Sequence, residues 1–242
     1  MTMIIELAHA PKLGGVVPFS TCDYPGRLAC VVFVSGCPWR CHYCHNPHLQ
    51  TRACHAGPQA WDDTLAWLAR RTGLLDAVVF CGGEPLVERH LPAMIAQVRR
   101  MGFAAALHTG GAYPDRLAQC LPMLEWVGFD VKAPFTAYPR ITQVARSGAA
   151  ADRSLGLIAG SGVAFECRIT IHPALLDDAD LLAVAQTLAQ RGITKLVLQP
   201  FRGTGCTSAP LLDAPLPAGY PGPALLDRMR AVLPAVEVRR HA

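Results

Sequence analysis

The feature that most constrains the fold of this chain is a regular alternation of short apolar runs with longer amphipathic segments. Six apolar runs are typical of β-strands, at about 29–34, 77–81, 104–108, 126–131, 164–171 and 195–199. Helical periodicity appears between them at about 60–71, 89–101, 113–124, 153–160 and 178–190. Strands that alternate with helices pair in parallel through right-handed crossovers. The pattern therefore predicts either a doubly wound α/β sheet or a full or partial α/β barrel.

The placement of the unusual residues favours the barrel. Cysteine-rich, glycine-rich or charged segments follow one predicted strand after another, at 37–44, 82–84, 109–111, 130–132 and 168–172. In an α/β barrel the carboxyl ends of all strands open on the same side, so these segments would line one pocket. The expected fold is a partial (β/α)6 barrel of parallel strands with the helices outside.

Length and composition predict one globular domain. The chain has 242 residues, of which 51% are hydrophobic and 17% charged, as in a folded protein with a substantial core. The barrel core is expected over about 19–201. An irregular Pro- and Gly-rich wrap is expected over 202–242, with a short helix near 224–232.

Charge and targeting signals exclude several classes of function. The net charge is +4 and the basic residues are scattered, so we expect no nucleic-acid partner. Neither a signal peptide nor an apolar stretch of membrane-spanning length is recognisable, which predicts a cytoplasmic protein without membrane association. In that compartment ten cysteines indicate metal binding or redox chemistry rather than disulfides.

Three cysteines are concentrated directly after the first predicted strand. Cys37, Cys41 and Cys44 form a C-x3-C-x2-C motif, and thiolates this close together can enclose one metal ion or one iron–sulfur cluster. A [4Fe-4S] cluster normally has four protein ligands, so three would leave one iron open to a small molecule. The motif therefore predicts a reactive centre at the open side of the barrel.

The alternative interpretation of this loop is a structural zinc site. His42, His45 or Cys54 could complete its ligand set. Structural zinc usually stabilises a small segment that lacks its own core, whereas this loop belongs to a well-cored domain. That context favours the cluster.

With these residues the chain resembles the radical S-adenosylmethionine (SAM) superfamily, whose signature is C-x3-C-x2-C after the first strand. It also resembles the branch that activates glycyl radical enzymes, and within that branch the activators of anaerobic ribonucleoside-triphosphate reductase. The segments that carry this second resemblance are TCDYPGR at 21–27, CHNP at 44–47, GGEP at 82–85, DVKAP at 130–134 and QPF at 199–201.

The resemblance implies a reaction, cofactors and partners. One [4Fe-4S] cluster would cleave SAM reductively to a 5′-deoxyadenosyl radical, which abstracts a hydrogen atom from a glycine of a glycyl radical enzyme. A flavodoxin or ferredoxin would supply the electron. Two alternatives stay open, namely a radical SAM enzyme that acts on a small molecule or another peptide, and a non-catalytic zinc-binding module.

The resemblance also assigns SAM-binding residues to the strand ends. The backbone of Gly82, Gly83 and Glu84 would bind the SAM amino group, with Glu84 shaping the loop. Asp130 and Lys132 share one strand face through their i, i+2 spacing, and would hold the ribose and carboxylate side of SAM. Without the resemblance, a tight turn and a surface ion pair would explain these segments equally well.

Further candidates are less specific. Arg168 is a natural carboxylate clamp, although it could instead pair with Glu166. Tyr43 matches an aromatic position near the SAM adenine in the family, and Thr109 lies in the strand-end segment after the third strand. His172 and Arg202 also fall at strand ends, where such residues are more often only solvated or locally satisfied; both are kept as weak candidates.

Two departures from the family pattern affect these expectations. His108 stands where the family commonly has the Asp of D-T-N-G, which in pyruvate formate-lyase activating enzyme helps to build a monovalent-cation site, so that cation is in doubt. The segment 46–61 is too short to hold further clusters, which predicts a single cluster. Apart from Cys54, the remaining six cysteines show no ligand spacing and are expected to be core or loop residues: Cys22, Cys30, Cys81, Cys120, Cys167 and Cys206.

Overall fold

Eight strands form one open sheet in which sequence neighbours are also spatial neighbours. The computed structural model describes residues 10–52 and 60–240. The strands are β1 (Leu13–Ser20), β2 (Ala29–Val34), β3 (Ala77–Gly82), β4 (Ala104–Thr109), β5 (Trp126–Val131), β6 (Ala164–Ile171), β7 (Lys195–Pro200) and β8 (Ala235–Val238). The pairs from β2 to β8 are parallel, and β1 runs antiparallel to β2. The predicted parallel α/β fold is confirmed, since β2 to β7 are the six predicted strands.

The helices lie between the strands in the expected order. They are α1 (Trp61–Ala69), α2 (Leu91–Arg100), α3 (Pro114–Cys120), α4 (Tyr138–Thr142), α5 (Ser147–Gly160), α6 (Asp178–Gln190), α7 (Ala209–Leu212) and α8 (Pro223–Arg230). The prediction was wrong at α4, which it missed, and at the start of α5, which it placed near residue 153. The first turns of α5 are built from small residues with weak apolar periodicity, so the pattern carried no helical signal. In the described part of the chain, no helix is long and apolar enough to cross a membrane.

Both edge strands also escaped prediction. β1 contains Gly14, Gly15 and Pro18, and its register against β2 is interrupted twice, as edge strands often are. β8 has only four residues, and one of them is the charged Glu237. Neither strand has the continuous apolar run of a buried parallel strand.

The two faces of the sheet have different surroundings. One face packs against the helices in a large core that includes Phe80, Leu107 and Tyr138. The other face carries small residues at the amino ends of the strands, covered by Tyr24 and Trp126, whose rings stack at 5.5 Å. This inner cluster fills the barrel at the amino ends of the strands.

Candidate active site

The carboxyl ends of the parallel strands surround one cavity of about 310 Å³. Its wall comes from the loop after β2 and from the ends of β3, β4, β5, β6 and β7. The eleven predicted site residues all line it: Cys37, Cys41, Tyr43, Cys44, Gly82, Gly83, Glu84, Thr109, Asp130, Lys132 and Arg168. The argument from strand ends therefore grouped these residues correctly in space.

Backbone hydrogen bonds hold the cysteine loop against the rest of the barrel. The amide of Cys37 donates to the carbonyl of Gln50 at 3.1 Å, and the amide of Arg40 donates to that of Thr142 at 2.9 Å. A short turn closes the loop, with the Cys44 amide donating to the Cys41 carbonyl at 3.1 Å. The loop is thus anchored to its own return segment and to α4, which fixes where its side chains point.

The three thiols of this loop have the chemistry that an iron–sulfur cluster needs. All three are half-buried and face the same cavity. Burial raises the pKa of the Cys37 thiol to about 12 and that of Cys41 to about 11, so both are protonated until a cation stabilises the thiolate. Three cysteines without a fourth thiol in the motif match a cluster that keeps one iron open.

Of the alternative zinc ligands, His45 lines the same cavity as the thiols but has other partners. The ring of His45 stacks on Phe201 at 5.9 Å, and its Nε2 lies 3.1 Å from the carbonyl oxygen of Arg202. Cys54 lies outside the described residues. Within 10–52 and 60–240, no three His, Cys, Asp or Glu side chains are grouped so as to hold a single metal ion.

The glycine pair after β3 fits tightly against the start of the cysteine loop. Gly82 has a φ of +127°, and a Cβ there would collide with the backbone of Val34. A Cβ on Gly83 would lie 2.8 Å from the carbonyl oxygen of Leu49. The missing side chains thus serve close packing of the protein backbone, in addition to leaving this stretch exposed to the cavity.

Glu84 organises the two strand ends next to it. Its buried carboxylate accepts hydrogen bonds from the Leu86 amide at 3.1 Å, the Thr109 hydroxyl at 2.7 Å and the Gly110 amide at 3.0 Å. Burial nevertheless keeps the pKa of Glu84 above its usual value. The expectation that Glu84 shapes the loop agrees with these contacts, and Thr109 belongs to the same network.

Asp130 and Lys132 face the cavity together with Arg168. Asp130 Oδ1 accepts from Arg168 Nε at 3.0 Å and from Nη2 at 2.8 Å, and its Oδ2 lies 3.6 Å from Lys132 Nζ. Burial opposes ionisation of Asp130, but the charges of Arg168 and Lys132 outweigh it and lower its pKa to about 2. The pair Glu166–Arg168 considered from the sequence does not form, because Glu166 binds Arg239 at 2.8 and 2.9 Å.

Tyr43 is buried at the side of the cavity. It is only 4% exposed, and the Lys132 ammonium lies 5.6 Å from its ring centroid. Burial would lower the pKa of Lys132, but Tyr43 and Asp130 outweigh that effect and raise it well above the usual value. Lys132 is therefore a permanent positive charge between the cysteine loop and β5.

The cavity also contains residues that the sequence did not suggest. Asp23 lies in the loop before β2, Cys22 and Cys81 add two thiols, and Arg239 enters from the unpredicted β8 side. The TCDYPGR segment was a signal for Asp23, whereas nothing in the sequence pointed to Arg239. Of the two weak candidates Arg202 lines the cavity, while His172 does not; its Nε2 lies 2.8 Å from the Ala214 carbonyl oxygen, so it is satisfied locally.

Comparison with known proteins decides the family. The model of the Radical SAM superfamily matches residues 31–188. The chain belongs to the radical SAM superfamily. This confirms the resemblance noted from the cysteine motif, and it makes the protein a radical SAM enzyme whose cofactors are a [4Fe-4S] cluster and SAM.

Two similar sequences and one solved structure give further context. A protein of Methanocaldococcus jannaschii named as a glycyl-radical enzyme activating enzyme is 28% identical over 73% of this chain and 75% of its own. The pyruvate formate-lyase-activating enzyme of Clostridium pasteurianum is 28% identical over 84% of this chain and 85% of its own. The structure of QueE from Escherichia coli superposes with a TM-score of 0.58 over 96% of this chain and 95% of QueE at 16% identity, a likeness of fold alone.

Proposed function

We propose that this radical SAM enzyme activates a glycyl radical enzyme, and that its target is an anaerobic ribonucleoside-triphosphate reductase. The observation that carries the proposal is the single cavity in which three thiols face the ends of five successive strands. The names of the two similar sequences support the activating branch. The CHNP and DVKAP segments support the reductase as the target.

The cysteine loop would hold the cluster in this proposal. Cys37, Cys41 and Cys44 would each ligate one iron, leaving the fourth iron to the amino and carboxylate groups of SAM. When bound, the cluster supplies the electron that splits SAM into methionine and a 5′-deoxyadenosyl radical, which removes a hydrogen atom from a glycine of the partner. The protein itself has to position SAM and keep water away.

The strand ends would position SAM. Gly82 and Gly83 line the cavity together with the cysteine loop, and their backbone would bind the SAM amino group. The ammonium of Lys132 would pair with the SAM carboxylate and the Asp130 carboxylate would accept from ribose hydroxyls. Tyr43, which lines the cavity beside Lys132, would contact the adenine.

The closed end of the barrel would protect the radical. The stacked rings of Tyr24 and Trp126 fill the barrel at the amino ends of the strands, so we expect substrate to enter from the carboxyl ends. A docked partner would seal that entrance during the reaction. We further propose a single domain with one cluster, a cytoplasmic location and a flavodoxin or ferredoxin as electron donor.

The proposal is tested with anaerobically reconstituted protein. Iron and sulfide content are measured first, followed by EPR of the dithionite-reduced protein with and without SAM. The reductase from the same genome is then added with SAM and reductant, and a glycyl-radical EPR doublet on the reductase is expected. Cys41→Ala is the negative control, because it removes one cluster ligand and should abolish both the cluster signal and the doublet.

Each other outcome identifies a different function. SAM cleavage with a modified metabolite and no protein radical would favour an enzyme that acts on a small molecule. A radical on another glycyl radical enzyme would retain the reaction and replace the target. Zinc without iron or labile sulfide would contradict the cluster assignment.

A further inference from the structure

His108 is a buried imidazole at the end of β4, with 8% of its surface exposed. Its Nε2 lies 2.6 Å from the backbone carbonyl oxygen of Asp23, in the loop before β2. Its ring meets Trp126 edge to face at 5.5 Å, and the Arg168 guanidinium lies on its other side. The side chain therefore connects three separate parts of the barrel wall.

The hydrogen bond to Asp23 decides the tautomer of His108. A carbonyl oxygen only accepts, so Nε2 must carry the proton and Nδ1 must be the acceptor. Arg168 Nη1 lies 3.5 Å from both ring nitrogens, and because Nε2 carries the proton, only Nδ1 can accept from it. Burial, and next the charge of Arg168, lower the pKa of His108 to about 4, so the ring is neutral at physiological pH. The charged groups that face it are Arg168, Asp130 and Asp23.

With His108 in this state, the donors of Arg168 are occupied. Nε and Nη2 donate to Asp130 Oδ1, Nη1 faces His108, and Nη2 also lies 3.5 Å from the Gly128 carbonyl oxygen. A guanidinium with these partners has no free pair of parallel donors for the carboxylate of a ligand. In this arrangement Arg168 holds Asp130 in place, and the carboxylate clamp expected from the sequence would require it to give up one of these partners.

Gly128 makes room for this arrangement. It faces the barrel interior between Trp126 and Asp130 on β5, and a Cβ there would lie 2.8 Å from Arg168 Cζ. The guanidinium would have to move away, because carbon atoms pack at about 3.5–4.0 Å. A change at Gly128, which pairs with His108 across β4 and β5, would thus displace Arg168 and press on Trp126, while it leaves the His108 side chain itself unaltered.

We infer that His108 is a positioning residue: its neutral imidazole joins the Asp23 backbone to the Arg168 guanidinium and so fixes the Asp130 carboxylate toward the cavity. The inference rests on the proposed function only for the part of its test that uses SAM. Its consequence is that His108, which also lines the cavity, controls SAM affinity through Arg168.

Two variants of the reconstituted enzyme test this role. His108→Leu removes both polar contacts and should raise the SAM concentration for half-maximal EPR change of the reduced cluster about tenfold, as expected for one lost hydrogen bond in a positioning network. His108→Gln keeps a donor for the Asp23 carbonyl and should stay within about threefold of wild type. Iron content should be equal in all of them, since no cluster ligand is altered.

A double-mutant cycle separates positioning from simple destabilisation. Gly128→Ala should weaken SAM binding to a similar extent as His108→Leu, and the double variant should be little weaker than either, because both changes act through Arg168. Fully additive losses, or unchanged SAM binding in His108→Leu, would overturn the inference.

NMR of the protein with 15N-labelled histidine tests the same contact without SAM or cluster. The resonance that disappears in His108→Gln should show a neutral, Nε2-protonated ring between pH 6 and pH 8, and its Nδ1 shift should change in Gly128→Ala. An imidazolium or an Nδ1-protonated ring would overturn the inference, whatever happens to the proposed function. If the neutral, Nε2-protonated ring is found but SAM does not alter the EPR spectrum of the wild type, the proposed function is contradicted, whereas the contact between His108 and Arg168 is supported.

Discussion

The carboxylate of Glu84 accepts a hydrogen bond of 2.7 Å from the hydroxyl of Thr109, and this contact ties the end of β3 to the end of β4. Both residues line the cavity, and both are almost fully buried. Because Glu84 also accepts from the amides of Leu86 and Gly110, its carboxylate organises the backbone of two strand ends at once.

We therefore expect Glu84→Gln to lower the free energy of unfolding by about 1–3 kcal/mol. The Glu84 carboxylate accepts from three donors, so the NH2 group of a glutamine would face one of them and leave that buried donor without an acceptor. Urea denaturation of the protein measures this change. Thr109→Ser is the matched control, because it keeps the hydroxyl and should cost much less than Thr109→Val. If Thr109→Ser and Thr109→Val lower the free energy of unfolding equally, the hydroxyl is not what holds the strand ends together.

The carboxylate of Asp130 gives stability that depends on pH. Its pKa of about 2 in the folded protein lies below the ordinary value of 3.8, so the unfolded chain takes up the proton first as the pH falls. The stabilisation is complete above about pH 4 and is lost progressively toward pH 2. Unfolding free energies of wild type and Asp130→Asn should thus differ at pH 6 and converge toward pH 2. A difference that stays constant with pH would contradict the ion pair.

Much of the fold was predictable because its main strands are short, apolar and separated by helical periodicity. The cavity was predictable for the same reason, since residues placed after successive parallel strands must meet at one edge. Prediction from the sequence fails where a side chain pairs with a partner that is distant in the sequence. Nothing near Arg168 indicates that it pairs with Asp130 instead of Glu166, because that choice depends on the register between β5 and β6.

The edge strands show a second limit of prediction from the sequence. β8 contributes Glu237 and is followed by Arg239, and charged residues at alternate positions resemble an exposed loop more than a strand. In the folded protein Arg239 pairs with Glu166, and Glu237 pairs with Lys195. These tertiary contacts, which no local pattern encodes, leave both side chains half-buried. Periodicity reports burial only where the buried residues are apolar.

Arg239 should stabilise the second edge of the barrel. Its guanidinium binds Glu166 through two parallel hydrogen bonds, and Glu166 is only 6% exposed. Arg239→Met leaves Lys195 as the remaining partner of that carboxylate, and we expect a loss of about 1–3 kcal/mol in unfolding free energy. Arg240→Met is the control, because Arg240 is exposed and donates only to the Tyr220 carbonyl. Equal free energies of unfolding for Arg239→Met and Arg240→Met would contradict this role of Arg239.

Position 108 should decide whether the enzyme needs a monovalent cation. His108 Nδ1 lies 3.9 Å from Asp23 Oδ1, and Asp130 is on the neighbouring strand, so an aspartate there would place a third carboxylate in this part of the cavity. We expect SAM binding by the wild type to be the same in sodium, potassium or tetramethylammonium buffers. In His108→Asp it should be strengthened by sodium or potassium, because a cation then relieves the repulsion between carboxylates. Cation-dependent binding in the wild type would refute this prediction.

The two additional thiols in the cavity should not be cluster ligands. Cys22 and Cys81 line the same cavity as the C-x3-C-x2-C motif, but they come from the loop before β2 and from β3, outside the motif. Burial raises the pKa of Cys81 to about 12, as it does that of Cys37, so the prediction rests on their place outside the motif and not on the protonation of the thiol. Cys22→Ser and Cys81→Ser should keep the iron and sulfide content of one [4Fe-4S] cluster after reconstitution, whereas Cys37→Ser, Cys41→Ser and Cys44→Ser should each lose it. Loss of iron in Cys22→Ser or Cys81→Ser would mean that a fourth protein thiol closes the coordination position proposed for SAM, and the reaction proposed for this cavity could not begin there.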